Sequence, residues 1–536
     1  MNFLRQVLRP SAFIPLSAAG IVGTFVASSL TVSSADDGDD YQTAASPPLT
    51  RRAGAPPVLG EPEYTQKQVA MADGKDGRPM WVTYRGGVYD ISEFHRVHPG
   101  GSLILQAAGA DVSAFWDVWA YHHLVPSVGK YLQQLRIGAL KGINDSSEAS
   151  VDPYDDEPIR DRKLQTVLTE RPYCSETQKS EFGSSYLTPT EAFYVRNHAP
   201  VPACAWGTDG QTSSCILQHE IVFNVSSEEA DANEAVVLTV ADLEQKFGTT
   251  TITSVLQCAG NRASDDIAAT GASGFSGGPY ETIGHGMLGN SQWRGVPLAE
   301  IVKALYPEPC AAAIEDGGEE KWHIVFEGAD GYSTSTPLIR VLRRENDCLL
   351  ATHMNGRPLS PDHGYPMRVL LPGVAGARNV KWLESVSVQQ KPVEAPWNEY
   401  YYRNAQGNHI QELPLQSLIA KTDCDDDSDI EVSGVAYSGG TGNGIAKVEV
   451  SSDGGLHWET AVLKLDEIMD DESQRNFGWV RWEAKVAQPA EADGVVATVC
   501  CRASDTDGNT QPKISAKQRG YLYNGWHTVQ VCGSDE

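Results

Sequence analysis

Cysteine is scarce in this chain and never has the paired spacing of a zinc-binding motif. The 536 residues include 10 cysteines, scattered from Cys174 to Cys532, and no Cys-x-x-Cys pair occurs. This pattern excludes a zinc site built from paired cysteines, and at this density a disulfide framework is not expected. Most of the thiols are predicted to be buried structural groups. Cys258 is the exception, because of the motif around it.

Basic residues are also in short supply. The chain has 42 lysines and arginines against 70 aspartates and glutamates, which gives a formal net charge of −28. A nucleic-acid partner is excluded, because its phosphates would be repelled. Two interpretations of the acidity remain: it favours docking of a basic protein, or it only keeps the chain soluble.

A long hydrophobic run is missing, including near the N-terminus. The apolar stretch at 18–27 contains Gly and Thr and follows Pro15, so it falls short of the ~20 apolar residues that a membrane span requires. Arg5 and Arg9 precede it, and no acidic residue occurs before Asp36, a pattern that resembles a mitochondrial presequence. We expect residues 1–50 to be a presequence with a sorting signal for the intermembrane space, and no stable membrane span in the mature protein. A secretory signal or a true membrane anchor are the alternatives.

The chain is too long for a single core, since domains rarely grow beyond ~250 residues. Polar, Pro-rich or acidic stretches at 36–60 and 142–157 are typical of linkers, and a third shift in composition falls near 403–412. Three folded blocks are therefore predicted, at 61–141, 158–408 and 409–536. The segment 81–92 alternates around Gly86-Gly87 as a hairpin does, and the last block has spaced strand-like runs that favour a β-sandwich.

The first block carries a histidine motif suited to haem. HPGG begins at His98, and a second histidine follows at His122 or His123. A six-coordinate haem needs two imidazoles delivered from separate segments. The pieces GGVYDISEF, AAGADVSAFW and RIGAL accompany the motif in that order.

With these pieces, residues 61–141 resemble the cytochrome b5 family over its whole length. The resemblance implies a b-type haem with His98 as the first iron ligand. The second ligand stays open between two neighbours. Counting back from IGAL favours His123, which we prefer, and counting forward from Phe115 favours His122. Because both ligands would be side chains, no position is left for oxygen, and the domain is expected to carry electrons.

The second block contains LQCAGNR, in which Cys258 is predicted to end a strand. A thiolate is a soft ligand suited to a transition metal, but a lone cysteine is more often a buried thiol. Four further motifs accompany it: FYVRNHAPVP, FEGADGYSTSTPL, MNGRPLSPDHGYPMRVLLPGVAGARNVKWLESV and WNEYYYR. Together these motifs resemble the sulfite oxidase family across residues 153–536. Eukaryotic nitrate reductases share the same molybdenum domain.

The resemblance implies a molybdenum–molybdopterin cofactor with Cys258 as the protein ligand of the metal. Its implied contacts with the pterin and its phosphate are Tyr194, Val195, Arg196, Asn197, His198, Asp330, His363, Arg368, Asn379, Val380 and Lys381. Arg196 is also expected to hold the substrate oxyanion, and Tyr402 matches the active-site tyrosine of the family. The implied reaction is transfer of an oxygen atom to sulfite, and the electrons then pass to the haem.

Three positions depart from the family pattern. Ala263 stands where a second arginine usually follows AGNR, and Thr528 replaces an arginine in NGWHTV. The pocket tryptophan expected after the cysteine is not evident, and Tyr280 is the nearest aromatic residue. We expect the loss of positive charge to weaken binding of a dianion, by about 1–3 kcal/mol for each charged hydrogen bond.

The predicted fold class is an α+β multidomain chain. It consists of a cytochrome b5-like haem domain, a mixed α/β molybdopterin domain and a C-terminal immunoglobulin-like β-sandwich. The last resembles the family's dimerisation domain and predicts a homodimer, with Trp458 in its core.

The favoured function is oxidation of sulfite, with an acidic haem domain passing electrons to cytochrome c. A nitrate reductase-like molybdenum oxidoreductase is one alternative, and a non-enzymatic haem electron carrier is another. Comparing turnover with sulfite and with nitrate would distinguish sulfite oxidation from the nitrate reductase-like activity. A molybdenum assay would test the hypothesis of a non-enzymatic haem carrier.

Overall fold

The computed structural model describes most of the chain beyond residue 60. The described residues are 61–96, 98, 104–105, 107–112, 116, 126–141, 154, 157–202, 216–225, 234–271, 282–315, 321–399, 401–424, 429–469, 471–488, 497–516 and 520–531. The predicted presequence, most of the predicted linker, Tyr280, His122 and His123 lie outside them. Over the described ranges, no helix has both the length and the apolar character needed to cross a membrane.

The first block is built on a four-stranded sheet. Its elements are β1 (Glu63–Tyr64), α1 (Gln66–Met71), β2 (Trp81–Tyr84), β3 (Gly87–Asp90), α2 (Pro126–Leu135) and β4 (Arg136–Leu140), with the strands in the order β1-β4-β3-β2. Thr65 and Gln68 form a capping box that starts α1. The predicted hairpin is confirmed: β2 and β3 are joined by Arg85 and Gly86, both at positive φ, as a two-residue type I′ turn requires.

Three sheets make up the second block. A small sheet comes first, with β5 (Gln165–Glu170), β6 (Tyr173–Thr177) and β7 (Val195–Arg196). The two larger sheets contain β8 (Glu220–Val225), β9 (Glu234–Thr239), β10 (Thr250–Gln257), β11 (Leu288–Pro297), β12 (His323–Gly328), β13 (Ser333–Pro337), β14 (Leu349–Met354), β15 (Arg357–Pro358), β16 (Arg368–Leu370) and β17 (Leu383–Gln389). One has the order β13-β12-β17-β8-β9, and the other runs β10-β11-β14-β15 with β16 paired to β14.

The helices of this block are short and lie between its strands. They are α3 (Val240–Phe247), α4 (Ala263–Thr270), α5 (Leu298–Leu305), α6 (Pro307–Glu315), α7 (Leu338–Leu342) and α8 (Pro396–Glu399). Leu298, Ile301 and Val302 of α5 are fully buried in the main hydrophobic cluster of the block. β10 is buried on both faces from Ile252 onward, as its run of apolar and β-branched residues favours. Cys258 follows directly after this buried strand.

The third block contains two four-stranded sheets around one core. Its strands are β18 (Gln416–Cys424), β19 (Asp429–Tyr437), β20 (Ile445–Ser451), β21 (Glu459–Thr460), β22 (Val462–Leu463), β23 (Val480–Ala487), β24 (Ala497–Asp505) and β25 (His527–Val531). The sheet orders are β18-β19-β23-β22 and β21-β20-β24-β25. Both contribute to one cluster of buried side chains, including Val432, Val450 and Trp482.

The placement of Trp458 in this core was a wrong prediction. Trp458 is half-buried, and its ring meets that of Trp526 edge-on at 4.8 Å, with the Arg502 guanidinium 4.0 Å from its centre. Trp482, on the inner strand β23, is fully buried in this core. Trp458 follows the turn at Gly454 and Gly455, and its indole N–H donates to the Gly455 carbonyl at 3.0 Å.

Candidate functional site

A cleft in the second block collects most of the predicted site residues. It encloses about 660 Å³ between protein atoms, including its opening to solvent. The described residues that line it are Phe193, Tyr194, Arg196, His198, Leu256, Cys258, Asp330, Tyr332, Asp362, His363, Arg368, Gly376, Ala377, Asn379, Val380, Lys381, Trp382 and Tyr402. All the predicted site residues outside the haem block are among them except Val195 and Asn197. Segments far apart in the sequence thus converge on one cavity.

Cys258 lies at the carboxyl end of β10, in the turn that leads to α4. Its backbone N–H donates to the Met287 carbonyl at 2.9 Å, and its own carbonyl accepts from Asn261 at 3.1 Å. The Sγ atom accepts from the Gly260 N–H at 3.5 Å. Burial raises the pKa of the thiol, against the opposing charge of Arg196. The free thiol is therefore protonated at neutral pH, and bonding to a metal would ionise it.

His198 and Tyr402 form a polar contact in the wall of the cavity. His198 Nε2 lies 2.9 Å from the Tyr402 hydroxyl. Burial lowers the pKa of His198 far below its usual range, and the charges of Arg196 and Lys381 lower it further. The imidazole is therefore neutral, and its ring packs against Tyr332 and Trp397 at centroid distances of 5.2 and 4.5 Å. Sequence reasoning missed Tyr332, although it lies inside one of the quoted motifs.

The backbone at Tyr402 is held by several contacts. Its φ of 46° is in the left-handed region, where a non-glycine residue is uncommon. The Tyr402 N–H donates to the Tyr521 hydroxyl at 3.3 Å, and its carbonyl accepts from Arg378 at 3.4 Å. Arg378 is fully buried and also donates to the Ile410 carbonyl at 2.8 Å. These contacts fix the loop that carries the tyrosine hydroxyl.

Two cations of the cavity lining, the buried Arg368 and the half-buried Lys381, lie among polar groups of the chain. Arg368 donates to the carbonyls of His363 and Asn379 at 3.0 and 3.1 Å, and burial lowers its pKa to about 10. Burial also lowers the pKa of Lys381, so holding both side chains charged is costly without an anion. A phosphate would offset that cost.

Several predicted residues have structural contacts as well as, or instead of, a place in the lining. Asn379 donates to the carbonyls of Val374 and Ala375 at 3.2 and 3.1 Å and shapes the loop. Val195 is buried in β7, opposite Ser175, and Asn197 is buried behind Lys381.

The lining residues fit a phosphorylated pterin with a sulfur-ligated metal. Cys258 offers a single thiol, Arg368 and Lys381 offer positive charge, and Asp330 offers a buried carboxyl whose pKa is raised by burial. The lining residue Gly376 lies close to β10, since a Cβ on it would be 2.9 Å from the Gln257 carbonyl. Only glycine permits that close approach.

The departures at Ala263 and Thr528 lie away from the described lining. Ala263 is the first residue of α4 and is buried, while Thr528 is exposed on β25, opposite Cys500. Neither is among the described residues that face the cavity. The expected weakening of dianion binding therefore stays a prediction without a contact to support it.

The predicted haem site is described at one of its ligands. His98 is half-buried, and its ring centroid lies 5.7 Å from that of Phe94, in T-shaped geometry. Phe94 packs against the cluster around Val82, Tyr89 and Ile91 in the core of the block. The choice between His122 and His123 falls outside the described residues.

Three known domain families match successive parts of the chain. The cytochrome b5-like heme/steroid binding domain matches residues 65–141, the oxidoreductase molybdopterin binding domain matches 218–397, and the Mo-co oxidoreductase dimerisation domain matches 407–533. The expected α+β organisation, with a cytochrome b5-like domain followed by a mixed α/β molybdopterin domain, is thereby confirmed.

Full-length relatives match across nearly the whole chain. It is 32% identical to the mitochondrial sulfite oxidase of Mus musculus over 88% of this chain and 84% of the relative. The sulfite oxidase of Gallus gallus is 34% identical over 87% of this chain and 99% of the relative. Among solved structures, the sulfane dehydrogenase SoxCD of Paracoccus pantotrophus is similar, with a TM-score of 0.53 and 23% identity over 72% of this chain and 94% of that chain. The last likeness concerns the fold alone.

Proposed function

Because the chain belongs to the sulfite oxidase family, we propose that electrons taken from sulfite at its molybdenum centre pass through its haem to cytochrome c. It is a molybdenum-dependent enzyme that oxidises sulfite, and its cofactors are molybdenum–molybdopterin and b-type haem. When bound, the molybdenum cofactor supplies oxidation of sulfite to sulfate by two electrons, and the haem supplies transfer of one electron at a time. Its dimerisation domain makes it a homodimer.

The observation that carries the site assignment is the convergence of Cys258, Arg196, the buried Arg368 and the half-buried Lys381 on one cavity. We assign Cys258 as the molybdenum ligand. Arg196 binds the sulfite oxyanion through its planar guanidinium, which presents paired donors to oxygen atoms. The Tyr402 hydroxyl, held by His198, orients the anion beside it.

The remaining predicted residues bind the pterin and its phosphate. Arg368 and Lys381 hold the phosphate, because charged hydrogen bonds to a buried anion are strong. Asp330 and His363 meet the pterin nitrogens, Tyr194 and Val380 pack against the ring system, and Val195, Asn197 and Asn379 shape the loops behind it. Tyr332 and Trp397 add an aromatic wall beside His198 that excludes water.

The outer domains serve electron transfer and assembly. His98 and His123 ligate the haem iron, with His122 as the alternative to His123, in a domain at 61–141 linked by 142–157 to the catalytic block at 158–408. The block at 409–536 is an immunoglobulin-like sandwich that forms the dimer. Residues 1–50 direct the chain to the mitochondrial intermembrane space, where cytochrome c takes up the electrons.

An optical experiment on the purified oxidised holoenzyme tests this function. Sulfite is added without oxygen, and the haem bands are recorded before and after. We expect sharp bands of reduced b-type haem, because electrons enter at molybdenum and reach the haem within one chain. The proposal would be overturned by haem that dithionite reduces and sulfite does not, in protein shown to contain molybdenum.

Cys258→Ser tests whether Cys258 is needed for electrons from sulfite to reach the haem. Serine is a poor ligand for a soft metal site, so we expect sulfite to reduce the haem at least ~100-fold more slowly, while dithionite still reduces it fully. Cys310→Ser, at a buried cysteine outside the cavity lining, is the matched control. Equal sulfite reduction in wild type and Cys258→Ser would contradict the assignment.

A further inference from the structure

Arg160 lies at the start of the catalytic block, three residues after the predicted linker. Arg160 is the only cation between residues 142 and 161 of the sequence. Its side chain is 10% exposed, although the neighbouring Ile159 is fully exposed. Its guanidinium lies 3.8 Å from the centre of the Tyr173 ring on β6. No motif of the catalytic block includes this arginine.

Arg160 forms a bidentate salt bridge with Asp362, a residue of the cavity lining. Nε donates to one carboxylate oxygen at 2.8 Å and Nη2 to the other at 2.7 Å. Nη2 also donates to Glu157 at 2.5 Å, and Glu157 accepts the Val201 N–H at 2.9 Å. Paired donors on a planar guanidinium match a carboxylate closely, so this contact is specific to arginine.

Asp362 lies directly beside the lysine assigned to the phosphate. The Lys381 ammonium donates to the Asp362 carbonyl at 2.9 Å and to the Asn197 side-chain oxygen. Asn197 in turn donates to the Asp362 carboxylate at 3.2 Å. A carboxylate without its own cation at this place would attract the ammonium and compete with an anionic ligand.

Arg160 supplies that cation. Burial alone would raise the pKa of Asp362, but the hydrogen bonds and charge of Arg160, with smaller contributions from the charges of Lys381 and His363, hold the pKa below its usual range. The carboxylate is therefore ionised and already paired, which leaves the positive charge of Lys381 for a ligand in the cavity.

We propose that Arg160 is a positioning residue of the cofactor pocket: by pairing with Asp362 it keeps the Lys381 ammonium available to the anionic end of the cofactor. This inference rests on the proposed function, because it assumes that Lys381 meets the pterin phosphate. Arg160 is the third residue of the catalytic block, so this contact forms directly after the predicted linker.

Two variants test the charge pairing. Arg160→Met leaves the Asp362 carboxylate unpaired, so we expect molybdenum and pterin to dissociate about tenfold faster or more, within the range seen when residues behind a metal site are changed. Arg160→Met combined with Asp362→Asn removes both charges. We expect molybdenum and pterin to dissociate from this double variant within about threefold of the wild-type rate. The readouts are molybdenum and pterin per chain after gel filtration, and the thermal unfolding midpoint.

Arg162→Met is the matched control, because Arg162 is exposed and pairs with Glu170 on the surface at 2.8 Å. Wild-type retention in Arg160→Met would overturn the inference, as would a folded double variant that loses cofactor as fast as the single one, since packing alone would then explain the loss. If Arg160→Met does not fold, the double variant decides by the same threefold criterion. A wild-type chain without molybdenum would instead refute the proposed function.

Discussion

At the scale of single residues, the cavity contains a tyrosine hydroxyl whose partner is a neutral histidine. The His198 Nε2–Tyr402 distance of 2.9 Å places the hydroxyl in a fixed direction, and the left-handed backbone of Tyr402 is held by Arg378 and Tyr521. A group positioned in advance contributes more to binding a charged substrate than one that must be ordered first.

Tyr402→Phe removes that hydroxyl and leaves the ring. We expect kcat/KM for sulfite to fall about 10–100-fold, because one hydrogen bond to a charged group contributes about 1.5–3 kcal/mol. Stopped-flow haem reduction at varied sulfite concentration measures it. Tyr401→Phe is the control, since Tyr401 is exposed. A larger loss in Tyr401→Phe than in Tyr402→Phe would assign the role to the neighbour.

Glu176 on β6 is a second buried polar residue, with no role in the proposed function. Its Oε1 accepts the Gly286 N–H at 3.3 Å, and burial raises its pKa to about 7 from the ordinary value of 4.5. The folded protein therefore binds this proton more tightly than the unfolded chain does. The contribution to stability is complete below pH about 4.5 and is lost as pH rises through about 7.

Glu176→Gln cannot ionise. We expect its free energy of unfolding to exceed that of wild type by roughly 1–3 kcal/mol more at pH 8 than at pH 5. Urea unfolding at both pH values measures this difference, with Glu459→Gln at an exposed position as the control. A gap between Glu176→Gln and wild type that did not change with pH would refute the raised pKa.

At the scale of elements, the connection from β10 through the cysteine turn to α4 is held by the third block. Arg262 is 1% exposed and donates to the carbonyls of Gly525 and Trp526 at 2.7 and 3.2 Å. The Leu522 N–H donates to the Ala259 carbonyl at 2.8 Å. The sandwich therefore helps to position the turn that carries Cys258.

Arg262→Met removes the donors to those carbonyls. We expect the free energy of unfolding to fall by about 2–4 kcal/mol, because buried acceptors are left without partners. Faster molybdenum loss should accompany it, since the turn loosens. The urea midpoint and the metal content measure the two effects. Arg344→Met, at a side chain that is 77% exposed, should change stability by less than about 0.5 kcal/mol.

At the scale of the whole molecule, the acidic charge is not where it was expected. Residues 61–141 contain eight acidic and eight basic residues, so the prediction of an acidic haem domain was wrong. The adjoining segment 142–157 has six acidic residues and no basic one. If a basic carrier docks to this chain, we therefore expect segment 142–157 to contribute more of the attracting charge than the haem domain does.

Neutralising Asp145, Glu148, Asp152, Asp155 and Asp156 to the amides tests this source; Glu157 is left intact because it pairs with Arg160. We expect cytochrome c reduction to slow several-fold at low salt and to depend less on ionic strength than in wild type. Haem reduction by sulfite, measured in the absence of cytochrome c, controls for changes within the chain. An unchanged salt dependence would place the docking charge elsewhere.

Many of the strands and turns were predictable because they depend on short stretches of sequence. Alternating apolar residues predicted the hairpin of β2 and β3 and the strands β19, β20, β23 and β24, which the structure contains. Strand and turn preferences depend on neighbours along the chain, so a short window carries them. The motifs around Cys258 and His98 are also short stretches of sequence. Their resemblance to known families implied the two cofactors, which the matching families confirm.

Other features required the tertiary structure. Arg160 meets Asp362 across 202 residues, His198 meets Tyr402 across 204, and Arg262 reaches Gly525 across 263. Trp458 was misplaced because alternation does not say where a strand ends relative to a core. By itself, the sequence determined the order of the blocks, their cofactors and the cysteine at the end of β10. Only the folded chain decided which distant charges pair, because burial and geometry arise when separate segments pack together.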